Sequence, residues 1–164
     1  MSDLLQQLLS GTLADVDGGD ALAVPTKTVV IEGSLDGREA ELLRDLELGP
    51  RLAVVSDPTT REVLGRRVER AAAAVAEVDP IVLQEHPHAD GELADEIAAA
   101  ARSADALIAV GSGTINDLCK YAGARAGKPY AVFATAPSMN GYTSVNAAIT
   151  MEGHKKSIQA QGAV

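Results

Sequence analysis

An apolar strand running into Val110 and then Gly111-Ser112-Gly113-Thr114-Ile115-Asn116-Asp117-Leu118-Cys119-Lys120 joins a strand, a glycine-rich turn and a helix start in succession. That succession presents unpaired backbone N–H groups at a helix N-terminus, where a phosphate is well received, so it points to a nucleotide or another phosphorylated ligand. Ser112 and Thr114 add hydroxyl donors beside the turn. An ordinary tight turn would also favour Gly111 and Gly113, and the familiar patterns are incomplete. Asn116 stands at the third glycine of the dinucleotide fingerprint GxGxxG, and the turn follows the fourth expected strand instead of the first. Lys120 lies inside the helix and does not complete the GKT or GKS of a phosphate-loop ATPase.

A second cluster, Ala134-Thr135-Ala136-Pro137-Ser138-Met139-Asn140-Gly141-Tyr142-Thr143-Ser144, is a strand exit dense in hydroxyls, an amide, Pro and Gly. Such a segment can hold polar groups in fixed positions around a ligand, or form a solvated loop. Asp57 ends another strand; it suits either an adenosine ribose or a helix cap before Pro58. His154-Lys155-Lys156 concentrates positive charge that could receive a phosphate or decorate a solvated hairpin tip. His86 and His88 flank Pro87 without an evident third and fourth metal ligand, and read as exposed loop residues. Cys119 has no specifiable His partner and reads as a small core residue, and Tyr121 as a packing residue on the helix.

These groups must be positioned by alternating strands and helices. Thr28 to Glu32 reads as a β-branched strand, followed by a helix from about Asp36 to Leu48. Arg51 to Val55 is a second strand, stopped by Ser56-Asp57-Pro58 and followed by an Ala-rich helix to about Glu77. Ile81 to Leu83, Asp105 to Val110 and Tyr130 to Ala134 are further strands, with helices from Asp90 to about Ser103 and from the glycine turn to about Ala126. Asn146 to Thr150 and Lys155 to Ile158 predict a β-hairpin. Strands alternating with helices imply parallel pairing, so the fold class is α/β: a Rossmann-like, mostly parallel sheet flanked by helices, with a C-terminal β-hairpin. In such a sheet the strand ends carrying Asp57, Gly111 to Thr114 and Thr135 to Tyr142 share one rim. Residues 1–27 read as an N-terminal helix and linker, and residues 28–164 as the α/β domain.

Composition narrows the class of function. The 164 residues are 46% hydrophobic, mostly aliphatic, with one Phe and no Trp. The formal net charge of −9 opposes nonspecific nucleic-acid or anionic-membrane binding, which needs a basic footprint. The single cysteine cannot form an internal disulfide, and no apolar run approaches the ~20 residues that cross a bilayer. With Asp3 where a secretory signal would be basic, a cytoplasmic location without membrane insertion is expected.

The run Gly111 to Tyr121, with Gly127-Lys128-Pro129-Tyr130, Phe133 to Met139 and Gly153-His154-Lys155-Lys156, resembles the sn-glycerol-1-phosphate dehydrogenases. That family belongs with glycerol dehydrogenases, iron-dependent alcohol dehydrogenases and dehydroquinate synthases. The resemblance implies that residues 28–164 bind NAD or NADP. Gly111, Ser112, Gly113 and Thr114 would meet the pyrophosphate and Asp57 the adenosine ribose. Thr135, Ser138 and Tyr142 would line the nicotinamide side, with Lys155 and Lys156 assisting cofactor or phosphate binding. Asn116, Asp117 and Lys120 would face the cleft where substrate enters, as would Asn140, which stands where the family usually carries Asp. The implied substrate is a small phosphorylated ketone or polyol, and the implied assembly a homo-oligomer. The family's divalent metal, zinc for choice, is held by Asp and two His of a second, helical domain, which lies beyond Val164 and is expected to be absent. On that expectation the α/β domain is truncated at its C-terminal side and inactive alone. A dehydroquinate-synthase-like lyase using NAD, or a nucleotide-binding module without turnover, are the alternative readings.

Overall fold

The computed structural model describes residues 3–137, 139 and 141–164. Its centre is a four-stranded parallel sheet in which β1 (Arg51–Ser56), β2 (Glu77–Val82), β3 (Ala106–Gly111) and β4 (Tyr130–Ala134) lie in the order β2-β1-β3-β4. β1 and β3 are interior strands, and the aliphatic residues Leu52 to Val55 and Ala106 to Val110 are almost completely buried. A near-continuous apolar run is what a parallel strand covered on both faces requires.

Alternation within each strand divides the core into two layers. Ala53, Val55, Leu107 and Ala109 face α5 (Gly91–Ala100) and α6 (Gly113–Ala126). Leu52, Val54, Ile108 and Val110 face α2 (Glu39–Asp45) and α4 (Arg66–Ala73). The chain leaves β1 for β2 on one side and leaves β3 for β4 on the other. The strand order thus reverses between β1 and β3, and the crevice outside their carboxyl ends is where ligands of open α/β sheets lie. Asp57 and the glycine turn stand on its two sides.

Between β1 and α4, the short α3 (Pro58–Thr60) and one π-helical turn (Arg61–Gly65) complete the crossover. The face carrying α2 and α4 is tied by arginine–carboxylate pairs. Arg67 Nε lies 2.7 Å from buried Glu39 and its guanidinium also pairs with Asp36, Arg61 is bidentate to Glu69 at 2.8 and 3.0 Å, and Arg66 pairs with Glu62 at 2.6 Å. The opposite face uses a different device. Beyond the end of α5, the Lys128 ammonium donates to the carbonyls of Ala101 at 2.8 Å, Arg102 at 2.7 Å and Ala104, collecting acceptors that a helix end leaves without partners.

A hairpin of β5 (Asn146–Met151) and β6 (His154–Gln159) leans on α6 through buried Ala147 and Ile149. Its turn places Glu152 at φ 52° and Gly153 at φ 75°, the pair of positive values that a two-residue primed turn demands.

Three expectations are corrected. Thr28 to Glu32 form no strand: the β-branched Thr28 to Ile31 instead line, with residues of β4, a groove of about 740 Å³, and Ile31 is 80% exposed. Strand propensity needs a hydrogen-bonding edge to act on, and on the outer edge of β4 the Tyr130 carbonyl accepts the Val164 N–H at 3.0 Å instead. The helix expected to reach Glu77 ends at Ala73, and β2 begins at Glu77, ahead of Ile81. Pro80 sits inside β2 because this is an edge strand, where a missing N–H is tolerated. The helix expected from Asp36 to Leu48 shortens to α2, bounded by Gly37 at φ 83° and Glu47 at φ 50°. Residues 3–9 form the N-terminal helix α1 (Asp3–Leu9), with no buried residue. Among the described residues no helix is long and apolar enough to cross a membrane.

Candidate functional site

β3 ends at Gly111, whose backbone passes so close to α6 that a Cβ there would meet Ile115 Cγ1 at 2.5 Å and Cβ at 2.6 Å. Close approach, and not an unusual φ, is what requires glycine. Ser112 is the N-cap residue of α6, extended at φ −94° and ψ −159°, and its hydroxyl makes no capping bond. Gly113 opens the helix beside Thr114, and both are half-buried. Among the described residues, a Cβ on Gly113 would meet only the Met139 side chain, at 3.4 Å. The first turn of this 14-residue helix therefore offers backbone N–H groups, two hydroxyl-bearing residues and the positive end of the helix dipole at the strand-order reversal. That donor set fits a pyrophosphate.

Across the crevice, Asp57 closes a capping box: its Oδ1 accepts the Thr60 N–H at 2.7 Å, and its own N–H donates to Thr60 Oγ1 at 3.1 Å. The carboxylate is half-buried, so one oxygen serves the cap while the group remains beside the crevice. Asp57→Ala is expected to cost about 1 kcal/mol of stability through loss of the cap, to be read from the urea midpoint.

The face of α6 behind the turn is the main departure from expectation. Asn116 and Lys120 are completely buried and do not look onto an open cleft. The 141–146 segment and β5 cover this face, and they engage its polar groups. Lys120 Nζ donates to the carbonyls of Gly141 at 2.9 Å and Asn146 at 3.0 Å, with Asp117 Oδ1 at 3.8 Å. Burial lowers the Lys120 pKa, and the Asp117 carboxylate opposes that shift. Asp117, one-fifth exposed, accepts from Asn116 Nδ2 at 3.2 Å and from the Ala148 N–H at 3.3 Å, holding β5 to the helix.

Tyr130 is the residue that sequence reasoning missed. Its buried hydroxyl lies 3.3 Å from Asn116 Oδ1 and 3.4 Å from the Tyr142 carbonyl, joining β4, α6 and the following segment. Burial pushes its phenol pKa up, so it remains a neutral donor. The only available signal was a tyrosine opening an aliphatic strand in a chain poor in aromatics. The half-buried Tyr142 donates from its hydroxyl to the Ala136 carbonyl at 2.9 Å, and Thr135 extends the sheet by donating its N–H to the Gly111 carbonyl at 3.0 Å.

The structure therefore gathers Gly111 to Thr114, Asn116, Asp117, Lys120, Thr135 and Tyr142 around one helix and the adjoining strand end, with Asp57 at the neighbouring strand end. Ser138 and Asn140 lie outside the described residues. Lys155 and Lys156 are exposed on β6, the hairpin strand farther from α6, with Lys156 Nζ 4.0 Å from Glu152. His86, His88 and His154 are exposed, and among the described residues no group of three or more His, Cys, Asp or Glu side chains is placed to hold a metal ion. Cys119 is fully buried and desolvation raises its thiol pKa steeply. We expect it to be inert to Ellman's reagent until the protein unfolds; prompt native labelling would contradict its burial.

With this geometry in view, relatives are informative. The chain is 32% identical over 114 residues to the glycerol-1-phosphate dehydrogenase [NAD(P)+] of Bacillus licheniformis, covering 66% of this chain and 28% of that protein. It is 30% identical over 159 residues to the Bacillus velezensis protein of the same name, covering 92% and 39%. This chain thus spans well under half the length of these curated relatives. The crystal structure of maleylacetate reductase from Agrobacterium tumefaciens shares the fold, with a TM-score of 0.70 at 22% identity over 85% of this chain and 39% of that one. The profile of the iron-containing alcohol dehydrogenases matches residues 30–163, nearly the whole α/β domain and both walls of the crevice: the chain belongs to the iron-containing alcohol dehydrogenase family.

Proposed function

We propose that this chain is the cofactor-binding half of an NAD(P)-dependent oxidoreductase that reduces dihydroxyacetone phosphate to sn-glycerol 1-phosphate. The observation that carries the reading is the α6 N-terminus, whose first-turn N–H groups stand at the strand-order reversal, in a chain whose curated relatives bear that enzyme's name. NAD(P)H bound there supplies the hydride. The first-turn N–H groups, with the Ser112 and Thr114 hydroxyls, bind its pyrophosphate, while Gly111 lets strand and helix close tightly beneath it. Asp57 meets the adenosine ribose. Thr135, Ser138 and Tyr142 orient the nicotinamide, so that one ring face meets the substrate.

Asp117 and Asn140 are the groups on the substrate side. Asn116 and Lys120, buried beside Asp117 on α6, support that wall. Lys155 and Lys156 contribute positive charge from the hairpin. Among the described residues none form a metal site, and no step is assigned to a metal. A small phosphorylated ketone or polyol substrate, a homo-oligomer and a cytoplasmic location complete the proposal.

Titration of the 164-residue chain with NADH and with NADPH, followed by nicotinamide fluorescence, tests the reading. Saturable binding of one or both supports it. Folded protein that leaves both fluorescence signals unchanged would sink it.

A further inference from the structure

The proposed cofactor site ends at Tyr142, in a segment with little regular structure of its own. Residues 141–145 belong to no helix or strand, yet they are fastened to α6 and β4 at several points. Lys120 supplies two of them, through its bonds to Gly141 and Asn146, one on each side of Tyr142. Tyr130 supplies a third, at the Tyr142 carbonyl, and the Tyr142 hydroxyl closes back on Ala136.

A completely buried lysine is a costly choice for packing alone, because its ammonium must find acceptors once removed from water. Methionine or leucine would fill the same volume without that demand. What lysine adds is a compact charge with three donors, enough for two backbone carbonyls and the nearby Asp117 carboxylate. These two carbonyls bracket Tyr142, whereas the helix that carries Lys120 begins at the phosphate turn. One side chain therefore ties the two ends of the proposed cofactor site together.

We infer that Lys120 is a positioning residue: it bridges the Gly141 and Asn146 carbonyls to α6 and so sets where Tyr142 stands on the nicotinamide side. The inference rests on the cofactor reading above. It assigns Lys120 no contact with cofactor or substrate, and it predicts that the two halves of the dinucleotide respond differently to its loss. The α6 first turn lies almost two helical turns from Lys120 and does not depend on it, so the adenosine diphosphate portion is bound as before.

The test compares wild type with Lys120→Met for two ligands, ADP-ribose by calorimetry and NADH by nicotinamide fluorescence, below the unfolding temperature of both proteins. The expected result is an ADP-ribose Kd within about threefold of wild type, an NADH Kd raised about tenfold or more, and loss of the fluorescence enhancement. A merely structural role would weaken both ligands in proportion to the folded fraction, so parallel losses, or no loss for either ligand, would overturn the inference. If Lys120→Met does not fold, Tyr142→Leu is read in its place, and the loss must again fall on NADH and spare ADP-ribose. Wild-type protein that binds neither ligand would overturn the cofactor reading itself, whereas wild-type binding with parallel losses would overturn only the role of Lys120.

Discussion

Gly113→Asp is expected to raise the Kd for NADH by about a hundredfold or more, close to 3 kcal/mol, while leaving the chain at least as stable as wild type. Local geometry sets the second half of that expectation. Among the described residues a Cβ at Gly113 meets only a flexible methionine, at 3.4 Å, and an acidic residue in the first turn of a helix is favoured by the dipole by about 0.3–1 kcal/mol. The same carboxylate stands where the pyrophosphate is proposed to sit. At about 4 Å, two like charges near a protein surface repel by roughly 4 kcal/mol before screening by salt. Stability and affinity should therefore move in opposite directions. Urea melts and fluorescence titrations on the same preparation read both, and unchanged NADH affinity would remove the phosphate from this turn.

Gly111→Ala should do the reverse, damaging the fold first. A methyl group there would lie 2.5–2.6 Å from the Cγ1 and Cβ of Ile115, a residue 1% exposed at the start of α6. The contact includes a branched Cβ, not the far end of a flexible chain, so β3 and α6 must separate. Overpacking of this kind costs about 1–3 kcal/mol. A urea midpoint lowered accordingly, with an unchanged slope, is the expected result, and a wild-type midpoint would show that the turn has room to spare. Two glycines two positions apart thus act for different reasons, one for packing beneath the site and one for access to it.

Much of the architecture could be read from residue types. The aliphatic runs of β1 and β3 can only be strands covered on both faces, and Asp57 before Pro58 and the turn after Val110 mark where they end. What failed was whatever depended on a neighbour. Thr28 to Glu32 have strand composition, yet an isolated segment cannot show whether an edge is available to it. The start of β2 was obscured by Pro80, whose cost vanishes only at a sheet edge. At the site, the family resemblance implied that Asn116 and Lys120 of α6 face the substrate cleft. Their burial follows from the hairpin and the 141–146 segment folding back over them, a long-range event with no local signature.

The two faces of the sheet are held by unlike electrostatics, and this gives the molecule an uneven sensitivity to acid. Around α2 and α4 the cations meet carboxylates, as in Arg67 with Glu39, Arg61 with Glu69 and Arg66 with Glu62. The Arg66 guanidinium holds the Glu62 carboxyl below its ordinary pKa. That contribution is complete above the ordinary carboxylate range and disappears as pH falls through the depressed value. Around α5, α6 and the hairpin, apart from the exposed Arg125–Asp95 pair, Lys120 and Lys128 are anchored chiefly on backbone carbonyls, which take up no proton over that range. Acidification should accordingly be felt first at the π-helical turn and the start of α4, where Glu62 meets Arg66, as earlier release of their amide protons to exchange.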